Sequence, residues 1–251
     1  MDLYERSSDP DRKVMYNSSD ENLLVNYNPK TTVECIVPGM VILKNFLSLS
    51  QQQRIIDIVA SLGKGPGGFY RPIYASGAKC KLDMMCWGKH WNVKTESYES
   101  LRSNYDHVPV LPFPIEFKSL ISKAIEMAFI HDDTILGTCA AFDPDICVVN
   151  FYSHSGRNGL HQDKDESAST LLAGSPVVSF SIGCDADFAY CQEYPKKGES
   201  VPVVRLQSGD VQIFGGPSRM IVHALTRLYA RTSPTELVMR PGRLNLTFRE
   251  Y

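Results

Sequence analysis

The sequence predicts an α+β chain in which helical segments come first and short strands then run to the C-terminus as a sandwich or barrel. Three observations support this reading. Two stretches before residue 131 repeat apolar residues at helical spacing. Beyond about residue 139 the pattern becomes short runs rich in Val, Ile, Phe and Tyr, divided by Gly, Pro, Ser and Asp. The length of 251 residues, with 43% hydrophobic and 22% charged side chains, suits one large core.

The elements follow in order. Residues 1–34 are rich in Ser, Asp, Asn and Lys and read as a polar arm. VECIVPGMVILKNF (33–46) is β-rich and turns at Pro38-Gly39. SLSQQQRIIDIVASLG (48–63) reads as a helix: Ser48 and Gln51 have capping-box spacing, and Ile55, Ile56, Val59 and Leu62 share a face. GKGPGGFYRP (63–72) is a glycine-rich loop without the pattern of a phosphate loop. In PIEFKSLISKAIEMAFI (114–130), Pro114 opens a second helix with Phe117, Leu120, Ile121, Ala124, Ile125 and Ala128 on one side. Strands are expected at 146–152, 175–183, 186–190, 201–206, 209–216 and 243–251.

Composition limits the function. A net charge of −2 gives no bulk basic surface, so a nucleic-acid partner would need a local patch or a shaped pocket. Seven cysteines without a CxxC pair suggest neither a zinc ribbon nor a disulfide framework. The polar start has no apolar h-region, and no run approaches membrane-spanning length. The expectation is a reduced intracellular protein, nuclear or cytoplasmic, monomeric and without a membrane partner.

GLHQDKDE (159–166) carries the first chemical signal. In extended backbone His161 and Asp163 point the same way and can supply two metal ligands from one strand end. His223, in SRMIVHALTR, is the candidate third ligand, following a strand and the Gly215-Gly216 turn. Two histidines and one carboxylate with open positions describe a non-haem Fe(II) oxygenase, although the same ligands suit Zn²⁺ in a hydrolase. His154, in a polar loop, is set aside, and His90, His107 and His131 read as surface or core-rim residues.

The last strand separates the two chemistries. In RLNLTFR (243–249), Leu244, Leu246 and Phe248 face one way, while Arg243, Asn245, Thr247 and Arg249 face the other. Arginines bind carboxylates in a bidentate manner, so this face can hold a dicarboxylate such as 2-oxoglutarate, for which a zinc hydrolase has no use. Asn150 and Tyr152 share a face of the 146–152 strand just upstream and can hydrogen-bond the same ligand.

Together, NFYSHSGRNGLHQDKDE (150–166), PVVSFSIG (176–183), SGDVQIFGGPSRMIVH (208–223) and RPGRLNLTFREY (240–251) resemble the AlkB family of Fe(II)/2-oxoglutarate dioxygenases. The likeness is to plant members near the DNA N6-methyladenine-demethylase branch. It implies a double-stranded β-helix, or jelly-roll, with the N-terminal helices packed on one sheet. Residues 35–251 would form a single dioxygenase domain, with a lid at about 64–110 and the catalytic jelly-roll at about 139–251.

The resemblance further implies that His161, Asp163 and His223 bind Fe(II). Asn150, Tyr152, Arg243, Asn245 and Arg249 would bind 2-oxoglutarate, with Arg243 and Tyr152 toward its distal carboxylate. Asp165 would contact the target base, and Trp91 and Tyr98 in the lid would stack on it or reach its strand. Glu166, the last acid of the run, is read from its position alone as pointing elsewhere and solvating the loop. Lys79, Lys89, Lys94 and Arg102 could track phosphates, and Lys196 or Lys197 could touch the nucleotide. Phe214 stands where the family has tryptophan.

The implied reaction is O2-dependent removal of a methyl group from a nucleobase nitrogen, releasing formaldehyde, succinate and CO2. The substrate would be methylated DNA or RNA, single-stranded or with the base flipped out. N6-methyladenine, N1-methyladenine and N3-methylcytosine all remain open, as do an RNA substrate and a hydroxylase of a protein or small molecule.

Overall fold

The computed structural model describes residues 1–4, 24–73, 76–153 and 158–251. Strands β1 (Thr32–Val37) and β2 (Met40–Lys44) form the first hairpin. Gly39 turns it at φ +78°, where a side chain would also strike the Gly215 carbonyl. Helix α1 (Leu49–Lys64) begins at the expected Ser48, with both halves of the capping box formed with Gln51.

The middle of the chain holds β3 (Asp83–Trp87), β4 (His90–Asn92), β5 (Ser97–Glu99) and helix α2 (Phe117–His131). The six residues expected on the buried side of α2 are the ones that are buried. Pro114 precedes this helix rather than opening it: its carbonyl accepts the Phe117 N–H at 3.3 Å, and Glu116 is the N-cap.

The strand-rich half comprises β6 (Ile146–Tyr152), β7 (Asn158–His161), helix α3 (Ala168–Ala173), β8 (Val177–Gly183), β9 (Ala186–Cys191), β10 (Val203–Leu206), β11 (Val211–Phe214), β12 (Val222–Leu228) and β13 (Arg243–Arg249). The major sheet runs β1-β2-β11-β8-β13-β6-β3 and the minor sheet β10-β9-β12-β7, while β4 and β5 pair as a separate hairpin. This is the expected double-stranded β-helix, carried by antiparallel ladders throughout the named strands.

Alternation along the central strands divides the interior. Leu244, Leu246 and Phe248 of β13 join Val149, Phe151, Phe180, Ile182 and Ile213 in a core completed by Ile55, Ile56 and Val59 of α1 and Leu120 and Ile121 of α2. Both N-terminal helices therefore cover one face of the major sheet, each burying an apolar stripe. The opposite face, bearing Arg243, Asn245, Thr247 and Arg249, turns toward the minor sheet and lines a cavity there. A smaller cluster including Met40, Ile42, Phe188 and Phe214 packs at that inner face.

The sequence reading missed β3, β4, β5, β7, β12 and α3. Of these, β12 matters most: His223 lies inside a strand rather than after one. Its short mixed run, VHALTRL, acquires regularity from pairing with β7 and β9. The boundary placed at residue 35 falls within β1. Described parts of the expected arm are anchored: Leu3 and Leu24 are buried, and the Tyr4 hydroxyl donates to Asp57 at 2.6 Å. His154 lies outside the described residues. Among the described residues no helix is long and apolar enough to cross a membrane.

Candidate active site

Two segments separated by about sixty residues meet at the open end of the minor sheet. The β7–β12 ladder places His161 opposite His223, and Asp163 follows two residues past the end of β7. One ligand atom from each of the three residues lies within 4.8 Å of the others. The His161 Nε2 is 3.8 Å from Asp163 Oδ1, and the His223 Nε2 is 4.0 Å from Asp163 Oδ2.

The ring tautomers favour coordination. The Nδ1 of His161 lies 2.7 Å from the Gly159 carbonyl, and that of His223 lies 3.2 Å from the Ile221 carbonyl. A carbonyl can only accept, so each Nδ1 carries a proton and each Nε2 is left as the ring atom facing Asp163, that of His161 also lying 3.3 Å from the Asn158 side-chain amide. Burial pushes His223 down to about 4 against the opposing pull of Asp163, which keeps the imidazole neutral at physiological pH. Burial acts on Asp163 in the other direction, but Arg249 and the two imidazoles outweigh it and hold the carboxyl well below the usual carboxylate range. Two imidazole nitrogens and one carboxylate fit an Fe(II) ion that keeps open positions.

The two arginines of β13 have different surroundings. Arg249 donates from Nη2 to Asp163 Oδ2 at 2.7 Å and from Nη1 to the Tyr98 hydroxyl at 3.1 Å. Its Nε lies 3.2 Å from Glu166 Oε1, an ionic contact without hydrogen-bond geometry. Arg243 is fully buried, with Nη1 donating to the Cys184 carbonyl at 3.0 Å and Nη2 to Ser181 Oγ at 2.6 Å. No carboxylate of the described residues pairs with Arg243, and its Nε has no hydrogen-bond partner. Burial lowers this guanidinium to about 10.

A buried cation that no carboxylate balances is costly in isolation and suits an anionic ligand. The buried Oδ1 of Asn150 and Nε2 of Gln212 line the same cavity and are likewise unpaired. Tyr152, Asn245 and Thr247 also line it, while Asn245 is braced by Ser179 Oγ at 2.8 Å. This polar wall, with a guanidinium that no carboxylate of the described residues balances, can hold a keto diacid.

An outer cavity of about 340 Å³ adjoins the inner one and shares His161 and Asp163 with it. Trp91 and Tyr98, partners across β4–β5, line it with ring centroids 5.5 Å apart. Asp165 and the exposed Tyr194 line it as well. Burial and the neighbouring Glu166 raise the Asp165 carboxyl. Asn150, Asn158, His161, Asp163 and Arg249 border both cavities.

The structure corrects three expectations. Glu166 does not point to solvent: it is buried, accepting from Arg219 Nη2 at 2.8 Å and from the Tyr98 hydroxyl at 3.2 Å. Two cations and a hydroxyl compensate the cost of burying it. Arg102 is also buried, donating to the Gly68 carbonyl and pairing with Asp106, so it offers nothing to a phosphate. His90 is buried beside Tyr70 and lines neither the inner nor the outer cavity, whereas His107 and His131 are exposed.

Sequence reasoning also overlooked Arg219, Ser181 and Gln212. The Ser-x-Ser alternation of VVSFSIG placed polar side chains on the face opposite Phe180 and was the available signal for Ser181. Nothing local singled out Arg219.

Comparison with known proteins adds to the geometry. A family model described as the 2OG-Fe(II) oxygenase superfamily matches residues 39–249. The DNA N(6)-methyladenine demethylase ALKBH1C of Arabidopsis thaliana is 44% identical over 226 residues, covering 86% of this chain and 49% of that protein. The chain thus spans about half the length of the plant relatives it matches. The alpha-ketoglutarate-dependent dioxygenase AlkB of Escherichia coli (strain K12) is 31% identical over 221 residues, covering 86% of this chain and 92% of that one. The solved structure of OsALKBH1 aligns with a TM-score of 0.79 and 41% identity over 88% of this chain and 100% of that one.

Proposed function

Because the chain belongs to the 2OG-Fe(II) oxygenase superfamily and to its AlkB family, we propose that it removes methyl groups oxidatively from nucleobase nitrogens in nucleic acid, with DNA N6-methyladenine as the leading substrate. One observation carries this reading: the inner cavity with its unbalanced arginine and the outer cavity with its aromatic pair share His161 and Asp163 as a wall. A diacid in the inner cavity and a base in the outer one would therefore both reach His161 and Asp163, with His223 facing the inner cavity.

In this reading His161, Asp163 and His223 hold Fe(II). Arg243 takes the distal carboxylate of 2-oxoglutarate, a bidentate match for its planar fork. Asn150, Tyr152 and Asn245 line the length of the diacid, while Arg249 keeps Asp163 ionised and oriented. Phe188 and Phe214 lie 5.2 and 5.3 Å from the His223 ring and exclude water behind it. When bound, iron, 2-oxoglutarate and O2 supply the oxidation of N-methyl to N-hydroxymethyl, with the diacid leaving as succinate and CO2.

The N-hydroxymethyl product loses formaldehyde and returns the N–H, so no side chain is required as a general acid or base. Trp91 and Tyr98 present rings to an unpaired or flipped base, and Asp165 can accept from an exocyclic amine. Exposed Lys79 and Lys94 on the lid are available to the phosphates beside it.

The test is a panel of single-stranded and duplex DNA and RNA oligonucleotides, each carrying N6-methyladenine, N1-methyladenine or N3-methylcytosine. Formaldehyde and succinate are measured with and without iron. Equimolar formation of both on methylated DNA is expected. Succinate stimulated by no oligonucleotide, in protein that binds iron and 2-oxoglutarate, would reject a nucleobase substrate in favour of a hydroxylase of another class.

A further inference from the structure

Arg219 occupies a position that the chemistry above does not use. It follows the turn Gly216–Ser218, four residues before His223, and is almost completely enclosed. Its Nη1 donates to the main-chain carbonyl of Asp163, and its Nη2 donates to Glu166 Oε2 at 2.8 Å. One planar fork thus joins the segment carrying His223 to the segment carrying Asp163.

The strand ladder cannot do this. The pairing of β7 with β12 reaches its last partners at His161 and His223, so Asp163 stands beyond the final rung. Past that point the two segments are held by the Gln162 side chain, which donates to the Met220 carbonyl at 2.6 Å, and by Arg219. Arg249 grips the Asp163 carboxylate from a different sheet, leaving the main chain of this loop to Arg219.

Charge accounting agrees. Arg219 and Arg249 contribute two positive charges, and Asp163 and Glu166 contribute two negative ones, so the buried quartet is neutral (2 − 2 = 0). Arg219 therefore constrains the loop without an unbalanced positive charge next to a cation site.

We propose that Arg219 is a positioning residue for the metal centre: its guanidinium fixes the Asp163 main chain against the His223 segment and thereby sets the spacing of the three ligands. The proposal rests on the reading that His161, Asp163 and His223 bind the metal. Loss of such supporting contacts in metal sites costs roughly 10- to 100-fold in affinity.

The test measures Mn(II) binding by electron paramagnetic resonance and the visible absorption of the Co(II)-loaded protein, in wild type, Arg219→Lys and Arg219→Met. An ammonium can reach Glu166 or the Asp163 carbonyl but cannot span both in the fork geometry. Wild type should bind one ion. Arg219→Met should bind it roughly 10- to 100-fold more weakly with a displaced Co(II) band, and Arg219→Lys should fall between them. Thermal melts of the metal-free proteins identify variants that remain folded. If Arg219→Met does not fold, Arg219→Lys carries the test. Unchanged affinity and unchanged Co(II) bands in the folded variants would overturn the proposal. Failure of wild type to bind either ion would instead reject the underlying metal-site reading.

Discussion

Arg249 meets Asp163 at 2.7 Å, from the last strand of the major sheet to the loop that follows β7. The carboxylate is ionised and its direction fixed by a guanidinium that also contacts Glu166 at 3.2 Å and Tyr98 at 3.1 Å. The His161–Asp163–His223 cluster and the β4–β5 hairpin are thus joined through Arg249.

Arg249→Met should leave Asp163 and Glu166 as neighbouring buried carboxylates without their shared cation. Breaking a buried pair from one side costs about 3–5 kcal/mol, and thermal unfolding should show a loss of that order. Added Mn(II) should recover part of it, because a dication replaces the missing charge. An unaltered melting temperature in metal-free protein would contradict the geometry.

Arg243→Lys keeps a positive charge but loses the planar fork, while Arg243→Ala loses both. Hydrogen bonds to charged groups contribute about 1.5–3 kcal/mol each, so 2-oxoglutarate binding should weaken by at least tenfold in the alanine variant. Mn(II) affinity should be preserved in both, since Arg243 contacts none of the three ligands. Titration calorimetry with the diacid and the ion separates the two effects.

Trp91→Ala removes one ring of the outer cavity. Stacking contributes about 1–3 kcal/mol per base, so KM for a methylated oligonucleotide should rise roughly 5- to 150-fold. Slow succinate formation without oligonucleotide should remain. Unimpaired oligonucleotide turnover would remove Trp91 from the substrate path and favour a substrate other than a base.

Acid should destabilise the metal-free protein over a defined window. Burial lowers both His90 and His223 from 6.5 to about 4. The unfolded chain therefore binds more protons than the folded one between these values, and stability falls as pH drops from about 6.5 toward 4. The lowered Asp163 contributes in the same direction at more acidic pH. Urea titrations across this range should show the decline, and His90→Gln should flatten part of it.

Local periodicity made much of this molecule legible. The capping box at Ser48, the buried stripe of α2 and the two faces of β13 are written in spacings of a few residues, which the backbone geometry of helix and strand converts directly into direction. His161, Asp163 and His223 were recognisable as chemical types, and family motifs carried their grouping before any contact between them was visible.

Contact and burial could be decided only in three dimensions. Glu166 and Arg102 look like surface charges because a charged side chain announces its type and not its partner. Their burial depends on Arg219 and Asp106 and on how separate segments fold over them. The division of labour between Arg243 and Arg249 is likewise invisible along one strand, where both share a face. It arises because β13 runs between β8 and β6, with Ser181 near one end and Asp163 near the other. Sequence sets which way a side chain points, by steric rules acting over a few bonds, whereas a charge finds its partner only through the register of strands distant in the chain.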